Sequence, residues 1–162
     1  MDAVEQLVNP TPFSQENMIE TFGESGKDAY DTVKHTLATY TEGEHLVSLI
    51  RADCFKVDVN EVLAKNNNRT LNVYFYDAER EEVDQFMAFM HYDKVLSDVF
   101  VAVVDDWNYP PVPLGTKRAF LELGYTVLFG QVLGGGHDNN MAQRNGIWHN
   151  GMYVAVVSKR TT

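Results

Sequence analysis

Apolar residues recur at intervals of three and four along two segments of the chain, residues 27–40 and 79–96. This spacing places them on one face of a helix. The second segment also has acidic residues in its first turn, where they complement the helix dipole. We predict a helix over each segment. Shorter helices are predicted over residues 14–23, 59–64 and 116–123.

Apolar runs without helical spacing predict strands, at residues 3–8, 44–51, 71–76, 99–104, 125–133 and 152–158. The run over 99–104 does not alternate, which is typical of a strand buried on both faces of a parallel sheet. Strands alternate with helices between residues 27 and 133, and this order favours a layered α/β sheet with parallel central strands. The last two strands are expected to form an antiparallel pair with a long loop.

Glycine and proline clusters mark the predicted loops. Pro110, Pro111 and Pro113 predict a stiff loop before the helix at 116–123. Gly134 to Gly136 follow a strand, but their spacing is not that of a dinucleotide-binding loop and no helix pattern follows them. We interpret them as part of a polar loop.

Length and charge narrow the class of protein. A chain of 162 residues is expected to form a single domain over residues 1–162. The formal net charge of -10 opposes binding to nucleic acid or to an anionic membrane. No apolar run reaches the length of a membrane span, and Cys54, the single cysteine, fits a reducing cytoplasm. We therefore expect a cytoplasmic protein.

Acidic residues follow three predicted strands at the point where each one ends: Asp53, then Asp77 with Glu79, then Asp105 with Asp106. In an open parallel sheet such positions converge on one rim, where ligands bind. Carboxylates brought together there repel one another unless a cation, a basic side chain or a proton relieves them, and Mg²⁺ prefers oxygen ligands of this kind. The alternative is that these acids cap the next helix or turn.

Four segments carry a family resemblance: residues 50–55, 73–80, 100–108 and 148–156. In order, they resemble the successive strands of class I S-adenosylmethionine-dependent methyltransferases, closest to the macrocin-type O-methyltransferases. The resemblance implies a three-layer, Rossmann-like α/β sheet of methyltransferase type, with parallel strands and a C-terminal antiparallel pair. It covers roughly residues 27–158.

The resemblance also implies roles for individual residues. By this resemblance, Asp53 and the backbone of Cys54 are expected beside the adenine ring of S-adenosylmethionine, and Glu5 is expected to hold the ribose. Asp77 contributes to the cofactor site and, with Asp105 and Asp106, matches the divalent-metal ligands, taken here as Mg²⁺. Glu79 matches the general base. The site residues that the resemblance implies are therefore Glu5, Asp53, Cys54, Asp77, Glu79, Asp105 and Asp106.

The sequence departs from the family pattern at two places. Ala78 and Arg80 stand where related enzymes often have glycine and histidine after this strand. The family's first strand and glycine-rich turn would precede residue 3, so the sheet is expected to be truncated at its N-terminal side. Three explanations stay open: a fragment of a longer enzyme, a remnant without transfer chemistry, or a site completed by a second copy.

The expected function is therefore S-adenosylmethionine-dependent methyl transfer to the hydroxyl of a small molecule, such as a sugar. An alternative is a non-catalytic binding or assembly module derived from such an enzyme. A metal-dependent hydrolase is a third hypothesis. It is disfavoured because the sequence has no histidine ligand or nucleophile at a convincing spacing. An opened sheet exposes strand edges, so a homo-oligomer is expected in each case.

Overall fold

A computed structural model describes residues 4–5, 29–40, 49–134 and 150–159. The chain divides into two compact units, Met1–Val57 and Asp58–Thr162. The helix predicted over 14–23, the start of the strand predicted over 44–51 and most of the glycine-rich loop lie outside the described residues. No helix in the described part of the chain is long and apolar enough to cross a membrane.

The first unit contains one helix and a short antiparallel ladder. Helix α1 (Ala29–Tyr40) confirms the helix predicted from the apolar spacing. Strand β1 (Val4–Glu5) pairs antiparallel with β2 (Ile50–Arg51). The guanidinium of Arg51 lies 5.4 Å from the centre of the Tyr30 ring, a cation–π distance. A 3-10 turn follows at Cys54–Lys56.

The second unit is built on a four-stranded mixed sheet. Its strands are β3 (Leu71–Tyr76), β4 (Leu96–Val104), β5 (Thr126–Leu133) and β6 (Met152–Ser158). The spatial order is β3-β4-β6-β5, with β3 and β4 parallel and β6 antiparallel to both of its neighbours. The predicted antiparallel pair of β5 and β6 is confirmed. The predicted α/β class is confirmed, and the predicted parallel pairing is confirmed for β3 and β4. It is wrong for the central pair of the sheet, because β6 lies antiparallel between β4 and β5.

Three helices belong to this unit: α2 (Val59–Lys65), α3 (Glu82–Tyr92) and α4 (Pro111–Glu122). Helix α3 is shorter than the pattern over 79–96 predicts, because a 3-10 turn at Asp93–Val95 leads directly into β4. The prediction of a stiff proline loop is also wrong, since Pro111 and Pro113 lie in the first turn of α4. First-turn residues have no intrahelical partner for an N–H, so proline is tolerated there.

One face of the sheet forms the core against α3 and α4. The ring of Tyr74 on β3 lies 5.2 Å from Phe89 on α3, edge to face, and Phe89 meets Phe120 on α4 in the same way at 4.9 Å. Phe100 on β4 is buried on this face, but the side chain of Val99 is 49% exposed on the other. The prediction that β4 is buried on both faces is therefore wrong for the described residues.

Helices α3 and α4 approach closely at Gly115. A Cβ at this position would lie 2.2 Å from the carbonyl oxygen of Glu82 and 2.6 Å from the Cβ of Gln85. No side chain larger than hydrogen fits such a gap, because real Cβ atoms do not approach a backbone oxygen this closely. Gly115 thus fixes how α4 lies on α3.

Candidate functional site

The candidate site lies at the carboxyl ends of β3 and β4. These strands are adjacent and parallel, so the residues that follow them emerge at the same rim of the sheet. Asp77 follows β3, and Asp105 and Asp106 follow β4. One carboxylate oxygen from each of these three residues lies within 4.8 Å of the others. We call these three residues the acid cluster.

The pKa of Asp77, in the acid cluster, is raised above the ordinary value of an aspartate. Its Oδ2 atom is buried and has no hydrogen-bond partner among the described residues. Desolvation, followed by the nearby charges of Asp105 and Asp106, raises the pKa of Asp77 to about 7, although Arg80 acts in the opposite direction. Burial and like charges both disfavour the carboxylate. At neutral pH this residue therefore holds a proton in part of the molecules.

Asp106 is the most buried member, with 4% of its surface exposed, and both of its carboxylate oxygens are engaged. The Nε atom of Arg80 donates a hydrogen bond to Oδ2, and the two side chains form an ion pair. The Nδ2 atom of Asn150 donates to Oδ1 at 2.8 Å. These two donors compensate a buried charge that would otherwise be costly.

Backbone hydrogen bonds hold the loop that carries Asp105 and Asp106. The amide of Asp105 donates to the carbonyl oxygen of Tyr76 at 3.2 Å, which ties the loop to the end of β3. The amides of Trp107 and Asn108 donate to the carbonyl oxygens of Gly151 and Asn150, at 2.9 and 2.8 Å. The turn before β6 is thereby fixed next to the acid cluster, which brings Asn150 to Asp106.

An aromatic pair lies beside this loop. The rings of Trp107 and Tyr153 stack with centroids 4.1 Å apart and planes inclined by 17°. The Nζ atom of Lys117 lies 5.8 Å from the centre of the Trp107 ring, within cation–π range. Both rings are half-buried, and their contact packs the loop after β4 against β6.

Two other residues implied by the resemblance, Asp53 and Cys54, belong to the first unit. There the Asp53 carboxylate accepts a hydrogen bond from the Phe55 amide at 3.1 Å and caps a 3-10 turn. The Nζ atom of Lys56 lies 2.9 Å from the same carboxylate. Asp53 therefore has the capping role that the alternative interpretation describes. Cys54 is buried.

Glu5 and Glu79 complete the predicted set. Glu5 lies on β1 opposite Ile50 on β2, again in the first unit. Glu79 is exposed just after β3, and its carbonyl oxygen accepts a hydrogen bond from Nε2 of Gln85 at 2.9 Å. Of the predicted residues, the described part of the chain brings together Asp77, Asp105 and Asp106.

Sequence reasoning did not assign Arg80 or Asn150 to the site. Arg80 departs from the pattern of the family that the sequence resembles. Its position, three residues after Asp77, is the signal that could have placed it beside the same acids. Asn150 is 44 positions from Asp106, and no local pattern connects them.

The oxygen donors of the acid cluster suit a hard divalent cation such as Mg²⁺. Asp77, with its unpartnered buried oxygen, is the observation that fits such an ion best. Asp106 fits less well, because Arg80 and Asn150 already occupy its two oxygens. For S-adenosylmethionine, the described residues around the acid cluster provide no comparable observation.

Comparisons with known protein families, with curated proteins and with solved structures found no match for this chain. Its class is therefore defined by its own geometry: an α/β domain with a carboxylate cluster at the ends of two adjacent parallel strands.

Proposed function

We propose that the chain is a methyltransferase-like α/β domain whose acid cluster binds a divalent cation. The observation that carries this proposal is the approach of Asp77, Asp105 and Asp106 to within 4.8 Å at the carboxyl ends of β3 and β4. A rim of this kind is where open α/β sheets bind ligands. The buried Oδ2 atom of Asp77, which has no hydrogen-bond partner among the described residues, adds an oxygen ligand for the cation.

The charge of the acid cluster supports a cation. Three carboxylates face one guanidinium, that of Arg80, so full ionisation leaves an excess of negative charge. A proton on Asp77 reduces this excess without removing it. A divalent cation would neutralise the remainder through oxygen ligands, which is its usual environment in proteins.

The sheet supports the methyltransferase-like part of the proposal. The resemblance implies parallel strands followed by a C-terminal antiparallel pair, and here β6 lies antiparallel between β4 and β5. The face of the sheet opposite α3 is apolar and exposes Val73, Phe75 and Val99. Such a face suits a three-layer, Rossmann-like arrangement with helices on both sides.

In this proposal the reaction is transfer of a methyl group from S-adenosylmethionine to a small-molecule hydroxyl, such as that of a sugar. A bound divalent cation supplies Lewis-acid chemistry, which lowers the pKa of a ligated hydroxyl. Asp77 and Asp105 provide oxygen ligands, and Arg80 and Asn150 hold the carboxylate of Asp106 in a fixed orientation. Glu79, exposed at the same rim, is the candidate base.

A second candidate function is a non-catalytic binding or assembly module. Arg80 favours it, because its guanidinium already supplies positive charge to the most buried carboxylate. A site that carries its own cation binds a divalent ion less tightly than three unpaired carboxylates would. The same fold would then keep the acid cluster for structure.

Calorimetric titration with Mg²⁺ and Mn²⁺ tests the cation site. We expect saturable binding by the wild-type chain. The affinity of Asp105→Asn for the cation should be lower by about tenfold or more. Asp98→Asn is the matched control, because Asp98 is an exposed acid near the opposite end of β4, the strand that Asp105 follows. Equal binding by all three proteins would contradict the proposed site.

Titration with S-adenosylmethionine and S-adenosylhomocysteine, with Mg²⁺ present, separates the two candidate functions. Micromolar binding, worth about 8 kcal/mol, supports methyl transfer and justifies a search for the acceptor. Cation binding without cofactor binding at millimolar ligand favours the non-catalytic module.

A further inference from the structure

We propose that Asn150 is a site of spontaneous deamidation, and that its conversion to a carboxylate adds a fourth acid to the acid cluster. Asn150 is followed directly by Gly151. Asparagine is one of the thermolabile residues of proteins. It degrades when the backbone nitrogen of the next residue attacks the side-chain amide, and glycine leaves that nitrogen least hindered because it has no Cβ. The dipeptide is therefore suited to this reaction.

The backbone nitrogen of Gly151, which is the nucleophile, is not held by a hydrogen bond within the described part of the chain. Its N–H has no acceptor among the described residues, although Gly151 is buried. Asn150 and Gly151 have φ angles of 55° and 76°, in the turn that directly precedes β6. The second reactant is water, and Asn150 is only half-buried. Both reactants are thus available in the folded chain.

The reaction has two steps and changes no oxidation state. The Gly151 nitrogen forms a bond to Cγ of Asn150, the bond from Cγ to Nδ2 breaks, and ammonia leaves with the proton that the Gly151 nitrogen loses. Water then opens the resulting succinimide ring and leaves a carboxylate and a proton. Cleavage of the bond from Cγ to the ring nitrogen gives aspartate. Cleavage of the bond from the main-chain carbonyl carbon gives isoaspartate, whose main chain contains one additional methylene group.

Either product removes a donor from the acid cluster. Nδ2 of Asn150 donates to Oδ1 of Asp106 at 2.8 Å, and a carboxylate in its place has no N–H to donate. Its negative charge lies instead near Asp106, the most buried acid of the cluster, where charges are poorly screened. Arg80 then stays as the described donor to Asp106. Deamidation therefore converts a compensated carboxylate into one that is repelled.

Isoaspartate also disturbs the backbone. The carbonyl oxygen of Asn150 accepts a hydrogen bond from the amide of Asn108 at 2.8 Å. The carbonyl oxygen of Gly151 accepts one from the amide of Trp107 at 2.9 Å. An additional main-chain methylene changes the spacing of these two acceptors, so the two bonds cannot both keep their geometry. The inference does not depend on the proposed cation site, because the reaction needs only Asn150, Gly151 and water.

Peptide mapping by mass spectrometry measures the reaction in the folded, metal-free, full-length chain at pH 8 and 37 °C. Chymotrypsin cleaves after Trp148 and so separates Asn150 from Asn145, which also precedes a glycine. We expect the Asn150 peptide to gain the mass difference between an amide and an acid over days. The gain should be at least about tenfold faster than at Asn72, because the β-branched Val73 crowds its own backbone nitrogen. An unincubated sample corrects for reaction during digestion.

Two variants test the assignment and its consequence. Asn150→Gln keeps an amide but closes a ring more slowly, so its mass at this position should not change during the incubation. Asn150→Asp reproduces one product, and its equilibrium constant for unfolding in urea should rise by about tenfold or more, as for a lost hydrogen bond to a charged group. Asn72→Asp is the matched control, because Asn72 is exposed on β3, where its Nδ2 donates to Oγ of Ser97 at 3.1 Å. It should change stability less.

The outcomes decide the two parts of the proposal separately. An Asn150 that keeps its amide for weeks in the wild-type chain overturns the modification site. Asn150→Asp that is as stable as the wild type overturns the effect on the acid cluster, because the new carboxylate then does not disturb Asp106.

Discussion

Arg80 and Asp106 are 26 positions apart in the sequence, yet the guanidinium of one donates directly to the carboxylate of the other. The pair is asymmetric, since the Arg80 side chain is 52% exposed and that of Asp106 only 5%. An exposed cation thus stabilises a buried anion. The acid cluster is partly neutralised by the chain itself, and this determines what a metal ion or a mutation does there.

Arg80→Gln removes this cation and leaves the buried Asp106 carboxylate with Asn150 as its described donor. We expect a loss of about 1.5–3 kcal/mol in the free energy of unfolding, the range for hydrogen bonds to charged groups. Urea unfolding in the absence of metal measures the loss. Arg118→Gln is the matched control, because the 3.5 Å contact of Arg118 with Glu82 is exposed and contributes at most about 1 kcal/mol. Equal losses would contradict the asymmetry.

The same variant changes metal binding in the opposite direction. Without Arg80, the acid cluster has more uncompensated negative charge, so Arg80→Gln should bind Mg²⁺ more tightly than the wild type. Added Mg²⁺ should then recover part of the lost stability, because a ligand that binds the folded state stabilises it. Calorimetry and urea unfolding with and without Mg²⁺ test both statements. Unchanged affinity would mean that Arg80 does not compete with the ion.

The pKa of Asp77 makes stability depend on pH. An aspartate starts from 3.8, and burial with the neighbouring carboxylates raises the pKa of Asp77 in the folded state to about 7. The folded chain therefore binds the proton more tightly than the unfolded chain. This contribution is fully present below about pH 3.8 and is lost as the pH rises through about 7. Urea unfolding of the metal-free protein should show stability from this group falling across that range.

Two variants test whether Asp77 and its acidic neighbours cause this pH dependence of stability. Asp77→Asn keeps this position neutral at every pH, so the pH dependence between 4 and 8 should become flatter than in the wild type. Asp105→Asn removes one of the like charges, so the pKa of Asp77 should fall, which carbon NMR of the carboxyl group measures directly. Asp98→Asn, near the opposite end of β4, should leave the pKa of Asp77 unchanged. A wild-type Asp77 that titrates near 4 would refute the assignment.

Most of the second unit could be predicted from local patterns. The strand at Leu71–Tyr76 and those ending at Val104, Leu133 and Ser158 follow from apolar runs between turn residues. The order of the strands in the sheet could not be predicted in this way, because the position of β6 between β4 and β5 depends on long-range pairing. The burial of β4 was overestimated for the same reason: composition shows that a strand is apolar but not what covers each face.

The acid cluster was predictable and its compensation was not. Asp77, Asp105 and Asp106 each follow a strand, so their convergence follows from parallel pairing alone. The pairing of Asp106 with Asn150 depends on how the loop after β4 binds the turn before β6, which no spacing in the sequence encodes.

The contact between α3 and α4 should be sensitive to Gly115. In Gly115→Ala the new methyl group meets a backbone oxygen, Glu82 O, which cannot move without shifting α3. We expect a loss of about 1–3 kcal/mol, the usual cost of overpacking. Glu122→Ala on the same helix is exposed and should change stability by less than about 0.5 kcal/mol. Thermal unfolding monitored by circular dichroism compares the two, and equal midpoints would show that the helices separate easily.

Gly151 combines two constraints that a double mutant can separate. Its φ of 76° lies in the left-handed region, where an alanine costs about 1–2 kcal/mol. A Cβ at this position would also lie 2.6 Å from Nδ2 of Asn108, in the loop that follows the acid cluster. Gly151→Ala should therefore destabilise the protein by more than the cost of the backbone conformation alone.

Asn108→Ala should cost little stability, because Nδ2 of Asn108 has no hydrogen-bond partner among the described residues. Combining the two substitutions should restore the part of the loss that comes from the contact and leave the part that comes from φ. Urea unfolding of the wild type, both single variants and the double variant measures this coupling. Strict additivity would show that the loop moves away from the new methyl group without cost, in which case Asn108 does not limit residue 151.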